Sequence, residues 1–231
     1  MISSVNESCC FAAGVLGNLF AFVLFASPFP TFRRIIRNGS TEHFSGLPYI
    51  YSLLNCLICL WYGLPFIRPG IILVATVNSV GACFHLVYIS LYITYADNKK
   101  KLKMSALLIT VLGIFAAIAV ISLECFSSSA RQIFVGYLTV ASLISMFASP
   151  LFIINLVIRT KSVEFMPFYL SLATFLMSFS FFMYGFLERD AFIYVPNGIG
   201  TLLGIAQLVI YVYYSRQSRK DVRTPLLVSH Q

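Results

Sequence analysis

Phe25-Ala26-Ser27-Pro28 and Phe147-Ala148-Ser149-Pro150 spell the same four letters, FASP, each near the end of a long apolar run. Proline inside a helix removes a backbone hydrogen bond and costs roughly 3 kcal/mol. The same helix breaker in the same setting suggests duplication, and the residues downstream agree. The first copy continues FASPFPTFRRIIRNGSTEHFSGLPYIY and the second FASPLFIINLVIRTKSVEFMPFYLS. Pro28 pairs with Pro150, Arg37 with Arg159, Ser40 with Ser162 and Glu42 with Glu164. After a short gap Pro48 pairs with Pro167, then Tyr62-Gly63 with Tyr184-Gly185, and Asn78-Ser79-Val80-Gly81 with Asn197-Gly198-Ile199-Gly200. The order holds across three consecutive apolar runs, which marks an internal repeat.

Composition sets the solvent. The 231 residues are 59% hydrophobic and only 10% charged, with a mean hydropathy of +0.87. A soluble domain carries about 25% charge, so this chain cannot coat a water-facing surface of its size. A helix crossing a bilayer takes about 20 apolar residues. Seven such runs are present, at about 9–32, 44–66, 71–95, 104–123, 132–158, 166–187 and 191–214. They are apolar all round, without the alternation of a membrane β-barrel. Three spans carry a chain across, so a second copy in the same orientation needs one extra helix, and the run 104–123 has no partner in the repeat. The expected fold is an all-α membrane protein of seven transmembrane helices, two parallel three-helix repeats joined by a linker helix (3+1+3), related by an axis along the membrane normal. The expected divisions are 1–95, 96–131, 132–215 and a cytosolic tail, 216–231.

Charge predicts orientation. With the N-terminus outside or lumenal, all but three of the 16 lysines and arginines fall at the cytosolic ends; Arg68, Arg131 and Arg189 are the exceptions. Basic residues stay on the cytosolic side. The net charge of +8 is then a topology signal, and no nucleic-acid partner is expected. The six cysteines mostly lie within spans, where they behave as small apolar residues, and no metal is expected.

At this point the residues carry a resemblance. The 3+1+3 plan, the prolines at 28, 48, 150 and 167, the asparagines at 78 and 197 and the segment GSTEHFSGLPY together resemble the plant-type SWEET sugar transporters. The Pro-Gln dipeptide of the related PQ-loop carriers is absent, since Phe29 and Leu151 follow the two FASP prolines. Asn78 and Asn197 lie about seven and six residues in from the outer ends of their helices, at one depth, and repeat symmetry sets them opposite each other. Paired amides both give and accept hydrogen bonds, which suits sugar hydroxyls. The repeat further pairs Cys59 with Phe181 and Asn55 with Met177. The resemblance implies that these four, with Leu24 and Met146, shape the substrate pocket, and that the bulk of the last two leans toward a monosaccharide such as glucose. Pro28, Pro48, Pro150 and Pro167 are read as hinges of a cytosolic gate, roughly four residues from the inner end in the case of Pro28 and Pro48. At the outer mouth Tyr62, Tyr184 and Asp190 are the gating residues, with Asp190 an acceptor for Tyr62. His85, alone in mid-helix, reads as a packing residue.

No Asp, Glu, Lys or Arg falls well inside a run, as ion coupling usually requires, and no nucleotide-binding motif is present. The expectation is bidirectional facilitative transport of a sugar, a hexose by preference, by alternating access, with no cofactor and no enzymatic activity. An amino-acid carrier of PQ-loop type and a seven-helix receptor stand as alternatives. The resemblance implies a homo-oligomer in the bilayer, with a trimer the form it suggests. Leu226-Leu227, five residues after Asp221, is one residue longer than an acidic dileucine spacing and hints at a vacuolar membrane, with the plasma membrane the other choice.

Overall fold

The computed structural model describes residues 2–228, with side chains described from 5 to 217; the dileucine side chains lie outside that range. The described residues form α1 (Ile2–Ala26), α2 (Phe29–Asn38), α3 (Leu47–Gly63), α4 (Ile72–Tyr95), α5 (Asn98–Glu124), α6 (Ser128–Met146), α7 (Ala148–Thr160), α8 (Phe168–Leu187) and α9 (Ala191–Val228). Both FASP copies interrupt a helix. The chain turns at Ser27-Pro28 between α1 and α2, and at Phe147 between α6 and α7. Each broken pair still makes one span, so nine helices build seven spans. Six of these are long and apolar enough to cross a membrane, and α3, with 17 residues, is the short one.

The spans run past the apolar windows wherever charge hides a continuing helix. The first does not stop near residue 32, because α2 carries Arg33, Arg34 and Arg37 while burying Phe32 and Ile35 on its other face. It ends at Gly39, whose φ of 61° closes the helix in the left-handed region, where glycine has no Cβ to clash. Lys161 closes α7 in the same way at φ 52°, so the repeat keeps the cap geometry even where it loses the glycine. Likewise α5 begins at Asn98, before the apolar run, because the Asp97 side chain accepts the Lys100 amide at 2.9 Å and caps it.

Packing repeats with the sequence. In the first half α4 packs between α1 and α3; in the second α9 packs between α6 and α8. Between halves α1 meets α8 and α3 meets α6, so exchanging the halves turns one seam into the other. The linker α5 rests on α3, α4 and, less extensively, α6, and Trp61 of α3 donates its indole N–H to Ser122 of α5 at 3.0 Å. Gly63 and Gly185 show why the repeat keeps its Tyr-Gly pair. A Cβ on Gly63 would lie 2.5 Å from the Ala75 backbone nitrogen, and one on Gly185 2.7 Å from that of Tyr194. In both halves the glycine lets the third span press against the second.

Two buried clusters hold the bundle. At the end bearing the N-terminus, Tyr62, Ile71, Val74 and Val77 of the first half interlock with Val135, Phe181, Tyr184 and Ile193 of the second. At the opposite, basic end, Phe32, Ile35, Leu53, Tyr88, Ile89 and Tyr92 pack with Met104 and Val111 of α5 and with nothing from the second half. Outward faces stay apolar, as with Leu102 and Ile109 on α5; lipid is the solvent that such faces require.

Candidate substrate cavity

One buried cluster joins the two halves while the other is confined to the first half and α5, and a cavity of about 410 Å³ lies between the halves. That is within the range of small-molecule pockets, roughly 300–1,000 Å³. Its lining comes from spans of both halves and not from α5. All eight residues expected at a substrate site line it: Leu24, Asn55, Cys59 and Asn78 from the first half, Met146, Met177, Phe181 and Asn197 from the second.

The two asparagines are mirrored in detail. Asn78 Nδ2 donates to the Val74 carbonyl at 2.8 Å, and Asn197 Nδ2 donates to the Ile193 carbonyl at 2.8 Å. Each amide is thereby oriented by its own helix one turn back. Each is half-buried and retains a second N–H and the carbonyl oxygen. Asn55 is more committed: its amide donates to Ser142 Oγ at 2.8 Å, across the α3–α6 seam. One turn further toward the basic end, Tyr51 donates to Ser145 across the same seam. Cys59 and Phe181 are buried, with 2% and 6% of their surface exposed, so this repeat pair supplies an aromatic ring from the second half only, while Phe25 lines the cavity from the first. Trp61 faces the linker and is not part of the cavity wall.

At the N-terminal end of the bundle the cavity is closed by a polar lock. Tyr62 Oη donates to Asp190 Oδ2 at 2.8 Å, and Arg68 Nε donates to the same oxygen at 2.9 Å. The other carboxylate oxygen accepts the Phe192 amide at 3.0 Å, and Arg68 Nη2 reaches the Glu188 carbonyl at 3.3 Å. Asp190 is 3% exposed and Tyr62 fully buried. Partial burial works against the Arg68 charge, but the Asp190 hydrogen bond and carboxylate outweigh it and raise the guanidinium pKa. Tyr184, the repeat partner of Tyr62, instead donates to the Gly70 carbonyl at 3.4 Å. Arg68 was legible in the sequence only as a basic residue on the wrong side of the charge asymmetry.

The prolines divide into two kinds. Pro28 sits at the α1–α2 turn, where the Ser27 hydroxyl and amide both donate to the Leu24 carbonyl, at 2.7 and 3.2 Å. Pro150 lies in the first turn of α7 and lines the cavity. Pro48 occupies the first turn of α3 and Pro167 caps α8; both are exposed, and neither interrupts a helix. Proline is well tolerated at such starts, because the amide it lacks would be unpaired there anyway. The depth read for Pro28 is corrected: ten residues of α2 follow it, because the arginines that ended the apolar run did not end the helix. His85 also departs from expectation, since it lines the cavity.

A seven-span bundle of two matched halves around a cavity, locked at one end, is the architecture of an alternating-access carrier. A family profile described as "Sugar efflux transporter for intercellular exchange" matches residues 11–100 and 133–219, one stretch in each half. The chain is 64% identical to bidirectional sugar transporter SWEET2a of Oryza sativa subsp. indica over 99% of this chain and 93% of that protein. It is 61% identical to bidirectional sugar transporter SWEET2 of Arabidopsis thaliana, over 96% and 94%. A solved eukaryotic SWEET transporter superposes with a TM-score of 0.91 at 58% identity, covering 92% of this chain and 99% of that one. The chain belongs to the SWEET family.

Proposed function

We propose that this protein is a bidirectional, facilitative transporter of a monosaccharide, working by alternating access of the cavity to the two faces of a membrane. The observation that carries the reading is the mirrored asparagine pair. Two amides, each oriented by its own helix, border one apolar cavity from opposite halves. Sugar hydroxyls offer the complementary donors and acceptors, and Phe181 supplies an apolar face for the ring. The bulk of Leu24 and Met146 at the wall favours one ring over two.

In this reading the basic end faces the cytosol, following the positive-inside rule, and the Tyr62–Asp190–Arg68 lock closes the outer or lumenal mouth. Pro28 and Pro150 act as hinges within spans; Pro48 and Pro167 fix the direction in which α3 and α8 leave their loops, since proline locks φ. No Asp, Glu, Lys or Arg stands among the described residues that line the cavity, which supports uniport. Self-association in the bilayer, as a trimer, and a vacuolar membrane rather than the plasma membrane follow from the resemblance and the tail signal.

The test is sugar binding and thermal melting of the Asn78→Ala and Asn197→Ala proteins. Each change leaves hydroxyls unpaired in a closed site, at about 1–3 kcal/mol per group, so affinity should fall roughly tenfold or more with melting little changed. Normal affinity with lowered melting in both variants would make the asparagines helix–helix glue and remove the main polar anchors of the reading.

A further inference from the structure

Two residues that line the cavity each bury a polar atom for which the protein supplies no hydrogen-bond partner. His85 Nδ1 on α4 and Thr139 Oγ1 on α6 are buried and make no hydrogen bond, and both residues line the cavity. His85 is 8% exposed and Thr139 2%. Burying a polar atom unpaired costs free energy, and most such atoms in folded proteins have partners. Thr139 breaks a local rule as well. Thr94, Thr110, Thr160, Thr174 and Thr201 each donate to the carbonyl four residues back, at 2.8–2.9 Å. Thr139 has the same option in the middle of α6 and does not take it. His85 is held edge-on by Phe25, with ring centroids 5.8 Å apart at 83°, so its ring is positioned by packing while its nitrogen stays unpaired.

The two residues share a direction along the cavity. Asn78 and Asn197 are in the second turns of α4 and α9. His85 follows Asn78 along α4, about 10 Å nearer the basic end at 1.5 Å per residue. Thr139 is past the midpoint of its 19-residue helix, about 7 Å beyond the asparagine level by the same measure. Neither has a polar counterpart in the other half, where the repeat puts Gly204 opposite His85 and Gly17 opposite Thr139.

We infer that His85 and Thr139 form a second polar level of the sugar path, between the asparagine pair and the basic end, taking hydroxyls of the passing or bound sugar that the asparagines do not reach. An imidazole offers one donor and one acceptor and a threonine hydroxyl does both, so the level is chemically matched to the same substrate. This assignment rests on the monosaccharide-transport reading.

It makes an unusual forecast for Thr139→Val. Removing a buried hydroxyl that bonds nothing should leave the melting temperature of the sugar-free protein unchanged or higher, while weakening sugar binding. The experiment is titration of D-glucose and its monodeoxy derivatives into the purified wild type, Thr139→Val and His85→Phe, with melting measured in parallel. The expected result is about a tenfold loss of glucose affinity in each variant. For each variant one deoxy sugar should bind no worse than it does to the wild type, because it already lacks the hydroxyl concerned. Unchanged affinity in both variants, or an equal loss for every sugar accompanied by lower melting, would overturn the assignment and leave the two atoms as water or packing sites. Failure of the wild type to bind any of the sugars would overturn the transport reading itself, and this assignment with it.

Discussion

The two ends of the bundle contain similar chemistry in opposite states. Each has a tyrosine, an acid and an arginine close to the seam or the loops. At the N-terminal end, Tyr62, Asp190 and Arg68 bond one another across the two halves, under an apolar cluster drawn from both. At the basic end the ion pair of Arg34 with Glu42, at 2.6 Å, stays within one half, with side chains 55% and 22% exposed, and that of Lys100 with Asp97, at 3.2 Å, stays at the start of α5. The apolar cluster there takes nothing from the second half. A cross-half lock in low dielectric holds a mouth shut, whereas an exposed pair within one half holds only its own loop. The comparison teaches that opening and closing are decided by which contacts cross the seam, since both ends have the residues to make them.

The largest effect should come from cutting the crossing lock. Asp190→Ala leaves a fully buried tyrosine hydroxyl and a partly buried guanidinium without their acceptor. A loss of about 2–4 kcal/mol is expected, below the full cost of a buried ion pair because Arg68 is partly solvated. Melting should drop by several degrees and sugar exchange should fall at least tenfold; Tyr62→Phe should do less of both. Wild-type melting for Asp190→Ala would mean that the two ends do not differ in this way.

Next in size are the prolines, above all the two in the broken spans. Pro28→Ala and Pro150→Ala restore helix propensity, so both proteins should fold and melt at or above the wild-type temperature while exchanging sugar several-fold more slowly. Pro48→Ala and Pro167→Ala, which only loosen a loop-to-helix junction, should slow exchange less. Wild-type exchange in all four would reduce the FASP breaks to tolerated kinks.

Smaller still is Lys161→Gly. The left-handed cap costs a residue with a Cβ about 1 kcal/mol, and Gly39 fills the matching position without it. The variant should gain up to about 1 kcal/mol in stability, less the extra chain entropy of glycine, with transport unaltered.

The smallest change should come from Glu42→Gln. Hydrogen bonds from Arg34 and then Asn38 hold the Glu42 carboxyl below its usual pKa. The unfolded chain titrates near pH 4.3, so this contribution is complete above that pH and disappears as pH falls through the lowered folded value. A melting difference between wild type and Glu42→Gln, if measurable, should be present at pH 7 and vanish in acid. A difference that grew in acid would contradict the sign.

Duplication made most of this legible. The FASP copies set the seven-span plan, and four matched pairs led to residues that line the cavity: Leu24 with Met146, Asn55 with Met177, Cys59 with Phe181 and Asn78 with Asn197. Whatever exists in one copy was hidden. His85 and Thr139 have glycines as counterparts, so the repeat gave no cue to Thr139 and left His85 to read as a packing residue. Arg68 lies in a loop whose counterpart has a different length and charge, and its bond to Asp190 joins residues 122 positions apart in the chain. Helix ends were misjudged for a separate reason. Apolar windows stop at charge, whereas α2 and α5 continue through it, one by turning its arginines away from Phe32 and Ile35 and the other by using Asp97 as a cap.

The central claim is that one cavity, locked at alternate ends, moves sugar without a coupling ion. Counterflow tests it most directly. Liposomes containing only this protein are loaded with unlabelled glucose and diluted into trace labelled glucose, with equal proton and sodium concentrations on both sides. The account predicts transient accumulation of label above its equilibrium level, driven by the outward glucose gradient alone, in wild type and not in the Asn78→Ala, Asn197→Ala double variant. No accumulation unless a proton or sodium gradient is imposed would contradict it.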